Sequence, residues 1–231
     1  MFKTLLLAAG LFAAVAQAAP QQMNLVYDLY RNGHKLGQVT DTFIRSGNRY
    51  TLTSETRADG PLKMLWPGVI RLESTGLVTR QGLRPAQFQH ARSDAPHKLA
   101  TARLDWKQRS IAWQYKGKSW TVDGLIDGTQ DQLSQVYQFM FAPSPPADYS
   151  LQVVSGRDLN DYRYAESEGG NLQTPLGALA TRQYQRITQK PDEKTVTVWI
   201  APARDNLPVQ IRVSEDGVTL EQRLVRASVK D

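Results

Sequence analysis

Apolar and polar residues alternate with a period of two through most of this chain, which leaves few architectures open. Val209, Ile211 and Val213 fall on one side of an extended segment, with Gln210 and Arg212 on the other. Tyr50 and Leu52 alternate in the same way with Thr51, Thr53, Glu55 and Arg57, and Ile70 and Leu72 with Arg71 and Glu73. Val196, Val198 and Ile200 alternate with Thr195 and Thr197, and Val218, Leu220 and Leu224 continue the pattern. Successive strand side chains point to opposite faces, so each segment reads as a strand with one buried and one wetted face. That is the habit of antiparallel sheets.

Turn chemistry separates the strands. Asn32-Gly33 lies between Leu25–Tyr30 and Leu36–Ile44, a strong hairpin signal. Ser46-Gly47-Asn48, Gln81-Gly82, Lys116-Gly117 and Asp216-Gly217 punctuate later strands. The spacing predicts about a dozen short strands in a sandwich or barrel.

Two segments break the pattern. Leu133, Val136, Tyr137, Met140 and Phe141 recur at helical spacing, predicting one amphipathic helix of about three turns. Asp131 or Thr129 can cap its start, and Pro143, Pro145 and Pro146 stop it. Leu62-Lys63-Met64-Leu65-Trp66, set between Gly60-Pro61 and Pro67-Gly68, is too short for a core helix. It reads as an apolar flap packed on a sheet end.

Residues 1–18 carry one charge (Lys3), an apolar run Leu5–Val15 and the small-residue pattern Ala16-Gln17-Ala18. This is the make-up of a secretory signal peptide, and its apolar run is too short to span a bilayer. Residues 19–231 then form a single β-rich domain, with a possible sub-boundary at the Pro-rich loop 142–148. No other segment approaches a transmembrane helix, which argues against an integral helical membrane protein. The chain has no cysteine, which excludes disulfides, thiolate zinc sites and a Cys nucleophile. The expected address is the periplasm. The formal charge of +6 is spread along the chain, and with export it argues against nucleic acid as a partner.

Catalytic signatures are sparse. No GxSxG occurs, Gly169-Gly170 opens no helix, and the histidines lack metal-ligand spacing. His90 and His97 flank Asp94, an arrangement that solvated loop residues explain better than a metal. Asp127/Asp131 and Glu166/Glu168 are carboxylate pairs of the kind glycoside hydrolysis employs, but strand faces carry such pairs routinely. Ser134 reads as part of a helix cap. Trp113 and Tyr115, flanked by Trp106 and Trp120, could stack on a sugar, although core packing accounts for most of the five tryptophans. The expectation is a protein with no catalytic residues, no metal and no cofactor.

Several fragments together resemble one family. Tyr27-Asp28-Leu29-Tyr30-Arg31-Asn32-Gly33 with Leu36-Gly37 is similar to the N-terminal hairpin of domain-of-unknown-function family 3108. Gly82-Leu83-Arg84-Pro85, Leu104-Asp105-Trp106, Asp131-Gln132-Leu133-Ser134 and Thr174-Pro175-Leu176-Gly177 follow in order. Val198-Trp199-Ile200-Ala201-Pro202 and Leu207-Pro208-Val209 complete the set, while Asp59-Gly60 replaces the expected Thr-Gly pair. The resemblance implies an exported Gram-negative protein and transfers no site. The last quarter of the chain is also similar to periplasmic lipoprotein carriers and RseB-like sensors. This second resemblance implies an open, curved sheet around helices with an apolar cavity.

The resulting expectation is a mainly β protein: a large curved antiparallel sheet, open or partly closed into a barrel, with one amphipathic helix and a short flap. One helix and one flap offer too little cover to fill such a concavity. Met64, Leu65 and Trp66 on the flap and Val136, Tyr137, Met140 and Phe141 on the helix are the candidate ligand-lining residues. The expected role is binding or carrying a lipid-like, amphipathic envelope molecule. The alternatives are an interaction module with an envelope protein partner and, third, a glycan-binding protein.

Overall fold

A computed structural model describes residues 20–142, 147–189 and 193–230, except the side chain of Leu65. Segment 1–18, read above as a signal peptide, and Pro143, Pro145 and Pro146 lie outside these. The strands are β1 (Gln22–Arg31), β2 (His34–Ser46), β3 (Arg49–Ala58), β4 (Val69–Thr79), β5 (Gly82–Arg92), β6 (Ala100–Asp105), β7 (Ser110–Tyr115) and β8 (Lys118–Asp123). There follow β9 (Gln130–Asp131), β10 (Asp148–Val154), β11 (Leu159–Thr174), β12 (Gly177–Arg186), β13 (Thr195–Ala201), β14 (Leu207–Glu215) and β15 (Val218–Lys230). Among the described residues two α-helices interrupt them, α1 (Leu62–Leu65) and α2 (Ser134–Phe141).

All fifteen strands belong to one sheet, in the order β8-β7-β6-β5-β4-β3-β2-β1-β15-β14-β13-β12-β11-β10-β9. Sequence neighbours pair through hairpins on both wings. The pairing of β1 with β15 joins the wings at the centre, where Tyr27 lies opposite Leu224 and, on its other side, Val39. The sheet is antiparallel throughout except for the short parallel pair β9–β10. Asn32-Gly33, Lys116-Gly117 and Asp216-Gly217 each place both residues at positive φ, the geometry that lets a two-residue turn follow strand twist.

A sheet this wide twists and curls, and here it rolls until β9 meets β5. No backbone ladder closes that seam. β6 pairs with β5 only along Gln87–His90, leaving an unladdered backbone edge at the start of β5. Side-chain amides take its place. Gln130 Nε2 donates to the Leu83 carbonyl (2.8 Å), and the Leu83 N–H donates to Gln138 Oε1 (2.7 Å). Gln138 Nε2 donates to the Gln81 carbonyl (3.0 Å), and Trp106 Nε1 to that of Pro85 (2.7 Å). Gly82, at φ +106°, adopts a backbone conformation that residues with a Cβ rarely take, and a Cβ there would lie 2.6 Å from the Gln138 amide and displace it. Farther along the seam Trp113 Nε1 donates to the Ser155 carbonyl (3.0 Å).

α2 sits inside the roll. Its start is fixed by a reciprocal cap: Asp131 Oδ1 accepts from the Leu133 and Ser134 N–H groups (2.9 and 2.8 Å), and Ser134 Oγ accepts from the Asp131 N–H (2.9 Å). Its end is held by Asn206 Nδ2, which donates to the Phe139 carbonyl (3.0 Å). The eight-residue helix is shorter than the three turns its periodicity suggests, and its surroundings also differ from expectation. Ser134, Gln135, Tyr137, Gln138, Phe139 and Phe141 are all buried, so no single stripe faces the sheet. Phe139 packs on Tyr184 (4.5 Å between ring centres) and Phe141 on Phe43 (4.8 Å). Walls on several sides need apolar contacts and satisfied amides around the whole helix.

The seam predicts a specific fragility. Gln138→Leu keeps the volume but strands the buried Leu83 N–H, and should cost about 1–3 kcal/mol in urea unfolding. Gln87→Leu, on the outer face, should stay within about 0.5 kcal/mol of wild type.

Candidate functional site

Among the described residues, a pocket of 140 Å³ lies beside the first turn of α2. Leu72, Val136, Val153, Val196, Ile211 and Val213 supply its apolar wall, and Asp41, Ser54, Gln135, Tyr162 and Lys194 its polar part. The concavity, expected to stay partly open above one helix and one flap, is occupied by α2, and the pocket left on this side is small. Burying Tyr137, Phe139 and Phe141 contributes more than leaving the interior hollow, at roughly 1.5–3 kcal/mol for each large apolar side chain.

The seven expected lining residues separate. Val136 and Tyr137 do line the pocket. Met140 is half-buried against the core, and Phe141 is committed to Phe43, so neither reaches it. Met64 is 88 % exposed, on a four-residue helix too short to bury both of its sides. Leu65 belongs to that same turn. Trp66 lines a different depression of 190 Å³, with Gln38, Thr40, Glu55 and Arg57, which project from the outer face of β2 and β3. The flap thus packs outside the roll, while the helix fills it.

Asp41 is the residue this reading missed. It is 2 % exposed, between the equally inward Val39 and Phe43 on β2. Strand parity alone places the 39-41-43 set on one face, so an acid at an inward position was a legible signal. Its Oδ2 accepts from the Tyr137 hydroxyl, and Ser54 also bonds the carboxyl. Tyr137 Oη lies 3.5 Å from Tyr27 Oη, which donates to the Pro208 carbonyl (2.9 Å). Asp41 Oδ1 meets no donor. A second buried acid, Asp131, accepts from Ser74 Oγ besides its cap bonds, and Ser74 Oγ is 2.9 Å from Tyr50 Oη. Burial pushes both carboxyls up to about 6, against the lowering effect of their hydrogen bonds.

Several other candidates are engaged in bonds within the fold. Ser134 is fully buried in the cap. Glu166 accepts from the Tyr184 hydroxyl (2.9 Å) and lies 3.4 Å from Arg182. Asp127 pairs with Arg109 (2.7 Å) and Asp94 with Arg92 (2.9 Å). No group of three or more potential metal ligands occurs among the described residues. Trp113 is buried and stacked on Trp120 at 6.0 Å, and both line an open depression of 460 Å³ with Gln87, Gln89, Arg103 and Gln114.

A raised carboxyl pKa means the folded state holds its proton more tightly, so its stabilising share is lost as pH climbs from about 4 through 6. His90 opposes this trend: burial and then Arg92, Arg157 and Lys194 hold its pKa below the ordinary value, so its share is lost as pH falls. Comparing wild type with Asp41→Asn isolates the carboxyl. Between pH 7 and pH 5 the wild type should gain about 1 kcal/mol of unfolding free energy relative to the variant.

Comparison with known proteins agrees with this architecture. A crystal structure of a beta-barrel-like protein of domain of unknown function DUF1849 from Brucella abortus is 14% identical. Its match covers 92% of this chain and 99% of that one, with a TM-score of 0.54, and shows a shared fold alone. A DUF1329 family protein from Desulfovibrio piger ATCC 29098 aligns at 10% identity over 91% of this chain and 86% of its own, with a TM-score of 0.23. No curated protein matches the chain. The family model described as "Protein of unknown function (DUF3108)" matches residues 26–223, and the chain belongs to that family.

Proposed function

We propose that this protein is an exported, non-enzymatic binding protein of the bacterial periplasm that holds part of a lipid-like or amphipathic envelope molecule beside α2. The observation that carries the proposal is the 140 Å³ pocket, whose wall combines branched apolar side chains with a few placed polar groups. Ligand sites have that composition. The volume sets the mode of binding. An apolar cavity of about 150 Å³ holds a benzene-sized molecule, so the pocket takes one end of a larger amphiphile and leaves the rest outside.

Export is supported by the pattern of residues 1–18. The non-enzymatic reading is supported by the commitment of Ser134, Asp131 and Glu166 to structural bonds. An interaction module of envelope biogenesis is the second reading, favoured by the filling of the interior with α2.

Val136→Trp inserts bulk at the pocket wall. Displacement of a bound fluorescent alkyl amphiphile should show at least tenfold weaker binding by this variant, with Met64→Ala unchanged. Equal binding by all three proteins, or none by wild type, contradicts the pocket as the site.

A further inference from the structure

The two ends of the sheet are finished differently. β9 is two residues long and meets β5, whose backbone groups Gln130 and Gln138 take up. β8, at the other end, is six residues long, pairs with β7 through an unbroken register and has no strand on its far side. A free edge is a template for another chain, and native proteins blunt it with prolines, bulges or charges. β8 has no proline and no bulge, and its charged residues, Lys118 and Asp123, stand at its two ends.

Hydrogen-bond parity shows which groups are free. The Gly124 N–H donates to the Arg109 carbonyl (3.0 Å), continuing the ladder in which Val122 and Trp120 lie opposite Ile111 and Trp113. Bonded and non-bonded positions alternate along an antiparallel pair. The even-numbered residues of β8 therefore bond to β7, and the N–H and C=O groups of Ser119, Thr121 and Asp123 point away from it. All three residues are exposed, and β7 is the one strand paired with β8 among the described residues.

An antiparallel copy of β8 fits this edge when the two-fold axis passes through Thr121. Thr121 then faces its own counterpart, and Ser119 faces Asp123 of the second copy, so the outward backbone groups of all three residues pair at once. The side chains match in the same register. The Ser119 hydroxyl lies opposite the Asp123 carboxylate, and on the inner face half-buried Trp120 lies opposite exposed Val122, an aromatic against a β-branched side chain. The charges fix the direction. Lys116 and Lys118 at the turn end of one β8 come near Asp123 at the far end of the other, whereas a parallel copy would bring like charges together. Moving the axis to Trp120 would set Asp123 against the turn at Gly117 instead of a strand residue.

We propose that this protein forms a two-fold dimer in which β8 pairs with β8 of a second copy, antiparallel and centred on Thr121. Such an interface is self-complementary and closes at two copies. No residue of β8 lines the pocket beside α2, so the dimer is independent of that site. A six-residue edge is a small interface, which makes the dimer reversible and dependent on concentration.

Sedimentation equilibrium of the purified protein, from micromolar to millimolar concentration, should show monomer and dimer in exchange. Thr121→Pro removes an outward N–H and no bond to β7, a change that edge strands tolerate. It should weaken dimerisation about tenfold or more, with an unchanged circular dichroism spectrum. The chain has no cysteine, so single cysteines read the register even if the proline variant fails to fold. Across the axis two Cα atoms of a bonded pair lie about 5.5 Å apart, within disulfide reach. Thr121→Cys should therefore yield a disulfide-linked dimer under oxidised glutathione, whereas Ser119→Cys, also exposed, faces Asp123 and should not. Monomer at every concentration overturns the second copy as the occupant of β8, including the case in which an extended segment of another protein binds there. A dimer unaffected by Thr121→Pro overturns β8 as the interface, and equal cross-linking of the two cysteine variants overturns the register.

Discussion

Hydrogen bonds from side chains, rather than a strand ladder, close this sheet around its interior helix. A fifteen-strand meander that curls must either complete a barrel or leave a backbone edge, and unpaired buried amides are expensive. Gln130 and Gln138 take up the free groups of β5, and Gln138 belongs to the helix itself. Filling the interior and sealing the seam are therefore one act. The Asp131 cap fixes where α2 begins, and the Tyr137–Asp41 bond fixes it against β2 on the opposite wall.

The same arrangement defines what space is left. With Phe139 and Phe141 packed against Tyr184 and Phe43, the volume not taken by the helix lies at its first turn, where Val136 and Tyr137 meet the inner faces of both wings. The position of the pocket thus follows from the helix anchors. Asp41 serves the helix from the wall of that pocket through the oxygen bonded to Tyr137.

The local parts of this structure were legible. Alternation gave the strands, and Asn32-Gly33, Lys116-Gly117 and Asp216-Gly217 gave their turns, because strand parity and positive φ are properties of neighbouring residues. The cap at Asp131 and Ser134 was legible for the same reason. What was not legible depends on distant contacts. The bonds from Gln130 and Gln138 to Leu83 span 47 and 55 residues, and the Tyr137–Asp41 bond spans 96. Periodicity says that Tyr137 and Phe141 are buried, but not that α2 is enclosed on several sides, nor that the flap at Met64 and Trp66 packs against the outer face. Asp41 lies between these cases: its inward parity was readable, whereas its partner on α2 was not.

The most direct measurement is a high-resolution electron-density map of the protein purified from its source cells without added detergent or ligand. The account predicts α2 inside the rolled sheet, bonded through Tyr137 to Asp41, with continuous non-protein density entering the pocket beside Val136. A helix lying on the outer face, or a pocket closed by inward collapse of its walls, would contradict it.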